Sequence, residues 1–244
     1  MTYQKTLNLY GKTTLILKGK GIITSLQRKI LYIFSTLPDN KYFYLTGGTA
    51  LAEFYLAHRK SYDLDLFTTE QKLILPFSYL FEKELRKHLD IKIVRRFETY
   101  VEFEILDKNE NTKVQFALDS PFRFEEPLDS EIGIKVNDYK DLIVDKLLAF
   151  FGRTEPRDAI DLYFILQKED FWTLTDLAKQ KDPGFDLYWM AIALHKVKEY
   201  PDDLIDWPVD MIKEINIKEM KKLFLKLSNE ILNKFKNNKP LHHT

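Results

Sequence analysis

The sequence predicts an α+β protein: a mixed sheet with flanking helices, followed by a C-terminal helical domain. Three observations carry that prediction. Short apolar runs broken by glycine and turn residues fill the first half of the chain. From Asp141 onward the apolar period becomes helical. Between them, Tyr44 to Phe67 reads as strand, glycine turn, helix and strand, and the rest of the chain is arranged around it. The expected domains are residues 1–138 and 139–244.

Taken in order, Leu7 to Tyr10 and Thr14 to Leu17 flank Gly11-Lys12 and predict a short hairpin. Ile22 to Ser35 carries one apolar stripe, Ile22, Leu26, Ile30, Leu31 and Phe34, and predicts a helix. Tyr42 to Thr46 is an aromatic-rich strand broken by Gly47-Gly48. Thr49 is expected to cap a helix from Ala50 to His58, and Asp63 to Phe67 is the second strand. Phe77 to His88 reads as a helix and Ile91 to Val94 as a strand. Glu98 to Leu106 and Thr112 to Asp119 alternate around a five-residue loop, which predicts an antiparallel hairpin, and Ile132 to Val136 adds a short strand. A helix ending near Gly152-Arg153 follows, then one with Pro156 in its first turn running to Leu166. Phe185 to Val197 and Ile217 to Phe235 are the last two helices expected.

Of the 244 residues, 45% are hydrophobic and 14% aromatic, enough for a sizeable core. Lys and Arg total 37, as do Asp and Glu. No global cationic signature therefore calls for nucleic acid, and an acidic disordered chain is excluded. Locally the balance breaks. Glu98 to Asp145 holds 13 acidic against 5 basic residues, and Ile212 to Lys239 holds 8 lysines against 3 glutamates. The absence of cysteine excludes disulfides and thiolate metal sites and suits a reducing cytosol. No apolar stretch reaches the ~18 residues of a membrane span, and Met1-Thr2-Tyr3-Gln4-Lys5 is not signal-like. A cytoplasmic protein without membrane contact is expected.

In a strand, residues i and i+2 share a face about 6.6 Å apart. Asp63 and Asp65 therefore point the same way, with Leu64 and Leu66 toward the core. Two neighbouring carboxylates repel each other, and a divalent cation relieves that repulsion. Mg²⁺ suits one or two carboxylates plus substrate phosphates. Gly47 and Gly48 stand at a strand-to-helix junction, where free N–H groups favour phosphate. Alone, Asp-x-Asp also fits a solvated edge strand, and Gly-Gly a tight turn. The joint pattern is the specific signal.

Gly47-Gly48-Thr49-Ala50-Leu51-Ala52, His58-Arg59-Lys60-Ser61 and Asp63-Leu64-Asp65-Leu66-Phe67 together resemble the AbiEii toxin family of nucleotidyltransferases, within the polymerase-β-like superfamily. The likeness continues at Asp145-Lys146-Leu147-Leu148-Ala149, at Arg153 and at Arg157-Asp158-Ala159-Ile160-Asp161-Leu162-Tyr163, similar to the family's Lys and Arg-Asp-x-x-Asp-Leu motif. It runs from about residue 40 to 166 and leaves the last helices unmatched.

The resemblance implies a nucleotidyltransferase-like mixed sheet and a Mg²⁺-dependent enzyme of toxin–antitoxin (abortive infection) type. Such an enzyme moves an NMP from an NTP to an acceptor, tRNA or other RNA, and has a cognate antitoxin. Asp63 and Asp65 would be catalytic and hold the metal. Gly47, Gly48, Thr49, Arg59 and Ser61 would surround the nucleotide, and Lys146 would contact a phosphate. Arg153, Arg157 and Asp158 would order the nucleotide cleft, with Asp161 orienting Lys146 or the acceptor. Many superfamily members place a third carboxylate on a later strand. Here Gln115 stands where that acid is expected, with Asp119 two alternations on. Either Asp119 serves or the protein departs from three-carboxylate chemistry, and a turn-capping Asp119 is as good a reading. Lys218, Lys222 and Lys226 recur at helical spacing, as an RNA groove or a solvated face. Two other functions fit the residues: a catalytically reduced nucleotide-binding or regulatory protein, and an enzyme that nucleotidylates a protein or small molecule.

Overall fold

The computed structural model describes residues 3–7, 13–108 and 110–237, with backbone alone for 3–7 and 13–15. The chain divides into two compact units, one up to Leu142 and one from Ile143 on.

In the first unit, β1 (Tyr3–Leu7) pairs antiparallel with β2 (Thr13–Leu17), with Leu7 opposite Thr13. The hairpin thus uses an earlier first strand than Leu7 to Tyr10, and residues 8–12 lie outside the described residues. The first helix, α1 (Ser25–Thr36), starts three residues later than its apolar stripe suggests, because Thr24 caps it. Thr24 Oγ1 accepts from the Gln27 backbone at 3.2 Å, and Gln27 Oε1 accepts from the Thr24 backbone at 3.0 Å.

A seven-stranded mixed sheet forms the body of this unit. Its strands are β3 (Tyr44–Thr46), β4 (Leu64–Thr68), β5 (Asp90–Arg96), β6 (Tyr100–Asp107), β7 (Glu110–Leu118), β8 (Leu128–Asp129) and β9 (Lys135–Val136). They lie in the order β5-β6-β7-β4-β3-β9-β8. β4 runs antiparallel to β3 and parallel to β7, and β3 runs parallel to β9. Between β3 and β4 lies α2, α-helical over Gly47–Ala50 and π-helical over Leu51–Leu56. The hairpin turn between β6 and β7 is tighter than five residues: Asp107 still pairs with Glu110, and Lys108 turns the chain at φ 54.

Alternation gives the sheet two unlike faces. Leu64, Leu66, Val101, Phe103, Val114 and Phe116 are fully buried on one of them. They pack under α1 and α3 (Gln71–Leu85). Phe116 is the hub, with Phe34, Phe43, Phe77, Phe81 and Phe103 all 5.1–6.4 Å away between ring centroids. That cluster also explains why α3 begins six residues before its expected start at Phe77. Pro76 forfeits one helix bond, but Ile74, Phe77, Ser78, Phe81 and Leu85 make one buried stripe that spans it. Asp65 and Phe67, with Gln115 and Ala117 beside them, belong to the opposite, polar face, whereas Asp63, expected to open the strand, lies just before β4 in the segment leading into it.

α4 (Tyr139–Arg153) carries the chain into the second unit, which is helical: α5 (Pro156–Leu166), α6 (Phe171–Lys181), α7 (Leu187–His195) and α8 (Ile217–Asn237). Pro156 occupies the first helical position of α5, as expected. α6 is absent from the sequence reading. Its start is set by Asp170, whose carboxylate accepts from the Thr173 backbone at 2.8 Å. α7 packs on α8, where Met220, Phe224, Leu227 and Ile231 line the buried stripe and Ser228 Oγ donates to the Ala191 carbonyl at 2.8 Å.

Candidate active site

The glycine corner and Asp65 of β4 are in direct contact. Gly47 holds φ +70°, and a Cβ built there would stand 1.9 Å from Asp65 Oδ2. Gly48 needs its missing Cβ for a different reason: an added carbon would lie 2.7 Å from Ser61 Oγ and 2.9 Å from Arg59 Nη2. Gly47, Gly48, Arg59, Ser61 and Asp65 therefore converge on one corner. Arg59 is no loop side chain in water. It is 5% exposed, folded in against Gly48, and its Nη1 donates to the Lys60 carbonyl at 2.9 Å.

Thr49 does not cap the helix. Extended Thr46 is the cap residue, and α2 starts at Gly47. Thr49 lies one turn in, where its hydroxyl donates to the Asp63 carbonyl and ties α2 to the chain entering β4. Gln27 on α1 steadies the same segment, donating its amide to the Ser61 carbonyl at 2.9 Å. Asn137 donates to Thr46 Oγ1 at 3.1 Å. Neither contact is visible in sequence, since both join residues far apart along the chain.

Strand register decides what stands beside Asp65. Thr46 lies opposite it on one side and Gln115 on the other, and Gln115 in turn faces Glu102. Gln115, not an acid, thus occupies the place next to Asp65. Asp119 lies four residues on, about 13 Å along the strand. It accepts from Tyr44 Oη and from the Ser120 backbone at 2.8 Å, and Arg123 Nη2 is 3.9 Å away. The structure does not bring Asp119 to Asp65.

Glu102 was not singled out from sequence. It is buried and accepts from Tyr100 Oη at 2.7 Å. Burial, Glu102 and the charge of Asp65 push the Tyr100 hydroxyl well above its ordinary range, partly opposed by Arg95, so it remains a donor. The alternation of the β6 run, which puts Tyr100, Glu102 and Glu104 on one face, was the available signal.

In the second unit, Lys146 on α4 meets Asp161 on α5 at 2.9 Å, with 8% and none of the two side chains exposed. Arg153 grips the buried Asp158 with two nitrogens, Nε at 2.5 Å and Nη2 at 2.8 Å. Arg157 Nε donates to Glu155 at 2.9 Å. Lys181 on α6 reaches Asp145 at 2.6 Å, a pair hidden from the sequence reading because α6 was. Lys146 and Lys181, held this deeply, lose solvation, and each keeps its charge beside a close opposite partner.

A family model described as "Nucleotidyl transferase AbiEii toxin, Type IV TA system" matches residues 29–234. The chain belongs to that family. The match extends well past residue 166 and takes in the last helices, which the sequence motifs had left unmatched. An uncharacterised protein of Aquifex aeolicus is 31% identical over 147 residues, 56% of this chain and 63% of that one. Among solved structures, a candidate nucleotidyltransferase from H. pylori superimposes with a TM-score of 0.58 at 19% identity, covering 91% of this chain and 100% of the other. JHP933 from Helicobacter pylori gives 0.56 at 18%, covering 87% and 91%. MenT4, a nucleotidyltransferase toxin from Mycobacterium tuberculosis, gives 0.57 at 15%, covering 85% and 82%. At these identities the likeness is one of fold. This member of the nucleotidyltransferase family has a mixed α+β fold. Among the described residues no helix is long and apolar enough to cross a membrane.

Nucleotidyltransferases generally use a divalent metal, and the donor set of the AbiEii chain fits one. Asp63 and Asp65 offer hard carboxylate oxygens, both partly exposed, and the carboxylate of Asp65 fills the space that a Gly47 Cβ would take. Among the described residues no group of three or more His, Cys, Asp or Glu side chains could hold a metal. Two carboxylates would leave places for substrate oxygens and water.

Proposed function

We propose that this protein transfers an NMP from an NTP to tRNA or another RNA acceptor in a Mg²⁺-dependent reaction, as the toxin of a toxin–antitoxin pair with a cognate antitoxin partner. One observation carries the reading: the Cβ-free corner at Gly47 touches the carboxylate of Asp65. That contact supports a reading in which phosphate meets the glycine backbone beside a metal-binding acid.

Asp63 and Asp65 hold the metal, which when bound neutralises charge on the phosphates. The backbone N–H groups of Gly47, Gly48 and Thr49 receive the triphosphate, flanked by Arg59 and Ser61. Lys146, oriented by Asp161, lends a fixed positive charge to a phosphate. Arg153 with Asp158, and Arg157 with Glu155, keep the α4–α5 turn in shape. Asp119 caps its own turn. Phosphoryl chemistry asks mainly for positioning and charge, which this set supplies.

Gln115 beside Asp65 favours a second reading, a nucleotide-binding protein with reduced catalysis. Incubation with each radiolabelled NTP and total RNA separates the two. Label entering RNA supports the first reading, and NTP binding without incorporation the second. Label in protein or a small molecule redirects the acceptor. Asp63→Ala combined with Asp65→Ala is expected to abolish incorporation and leave the circular dichroism spectrum unchanged, and retained activity in that variant removes the metal-site assignment.

A further inference from the structure

The same sheet face carries a cavity of about 320 Å³ beyond the Tyr44 end of β3. Its placement follows from register. Thr46 stands opposite Asp65, and two residues back Tyr44 stands opposite Phe67 and Lys135, on the same face. Thr69, four residues after Asp65 and again on that face, also lines the cavity. The cavity therefore begins one row of side chains, about 7 Å, from Asp65 and extends away from it.

Its lining has the makings of a nucleotide platform. Tyr42 is 46% exposed, and Lys41 Nζ lies 5.1 Å from the centre of its ring. Arg123 is stacked over Tyr44 at 4.5 Å and held beside Asp119, whose carboxylate also takes the Tyr44 hydroxyl. Lys135 enters from β9, sharing its charge with Asp129 at 3.4 Å. Exposed aromatic surface with fixed cations around it is how single-stranded nucleic acid is held without sequence reading. Glu70 and Glu126 also line the cavity. They disfavour a compact triphosphate but accept hydrogen bonds from base amino groups. The volume is near the lower end of small-ligand sites, room for about one nucleotide.

We infer that this cavity seats a nucleotide of a single-stranded RNA acceptor, next to the end that receives the NMP. The inference rests on the reading of the protein as an RNA nucleotidyltransferase, and its test does not require transfer. Lys41 and Tyr42 are exposed and Lys135 partly so, so their replacement leaves the core untouched. Binding of a fluorescein-labelled single-stranded RNA of mixed sequence is followed by anisotropy across a salt series, with binding of a fluorescent ATP analogue as the control. Lys41→Ala with Lys135→Ala is expected to weaken RNA binding by about tenfold or more and to flatten the salt slope by about 1.4, two phosphate contacts' worth. Tyr42→Ala is expected to weaken RNA binding with no change in slope. ATP-analogue affinity stays constant in both. RNA affinity equal to the parent in both variants, or absent from the parent, overturns the inference. So does a parallel loss of ATP-analogue binding, which makes the cavity part of the NTP site. Cavity-dependent RNA binding without any transfer of label to RNA sinks the enzymatic reading instead and leaves the cavity as an RNA site.

Discussion

Gly47 combines a left-handed backbone with a carboxylate pressed into the space of its missing Cβ. Gly47→Ala therefore has two effects: backbone strain of about 1–3 kcal/mol and displacement of Asp65. Transfer is expected to fall by about a hundredfold, the scale of a misplacement near 1 Å, in a labelled-NTP assay. Gly133→Ala is the control, since its φ is +77° but its nearest neighbour is Ser35 Cβ at 3.6 Å. It should lower the melting temperature and leave turnover alone. Lys146 poses a different question, because it is both structural and a proposed phosphate contact. Lys146→Ala removes the positive charge beside the buried Asp161 carboxylate, at a cost of about 3–5 kcal/mol in urea unfolding, and should weaken NTP use about tenfold or more. Lys146→Met with Asp161→Leu should regain most of the stability and none of the activity. Recovery of activity in the double variant would return the pair to a purely structural role. At this scale the sequence was most informative where chemistry is local. Asp63, Asp65, Gly47 and Gly48 stand out by spacing alone, whereas the burial of Arg59 against Gly48 needs the chain to fold back, and the capture of Asp119 by Tyr44 joins residues 75 apart.

Elements are tied together by a few charged contacts, and α3 to β5 is the clearest. Glu82 accepts from Arg96 Nη2 at 2.6 Å and from Arg86 Nε at 2.8 Å. Burial pushes the Glu82 carboxyl up, and the hydrogen bonds and charges of Arg96 and Arg86 more than reverse it, leaving it below the ordinary glutamate range. A carboxyl lowered in the folded state stabilises that state fully above its unfolded value of about 4.3. The contribution fades as pH falls through the depressed folded value. Glu82→Gln should thus be less stable than the parent at neutral pH, and the two urea midpoints should converge in the acid limb. Where a helix begins was readable when a proline at the first position marked it, as at Pro156, and not from the caps Thr24 and Asp170. It was misread where packing overruled local preference: α3 runs through Pro76 because the phenylalanine cluster covers both sides of it. α6 was missed although Asp170 and Thr173 carry the N-cap signature.

Across the whole molecule the charges cancel, with 37 basic and 37 acidic residues and a pI near 7.0. Cancellation is global and not local, since Glu98 to Asp145 is acidic and Ile212 to Lys239 basic. Unlike patches on different copies attract when net charge offers no repulsion. Light scattering is expected to show the strongest self-association near pH 7 at low salt, relieved on moving the pH either way or by raising salt until the Debye length drops below about 8 Å. Self-association unchanged by salt would point to an apolar cause.

What the sequence determined by itself is whatever depends on short range. These are the change of period at Asp141, the break of the strand at Gly47-Gly48, and the alternation of buried Leu64 and Leu66 with Asp65. Backbone sterics and strand alternation act over two to four residues and leave no choice. Tertiary structure alone decided which side chains became partners: Gln115 and not Asp119 beside Asp65, Asp161 for Lys146, and Asp145 for Lys181. Those outcomes follow from strand register and helix packing, which are settled when distant segments close on a common core.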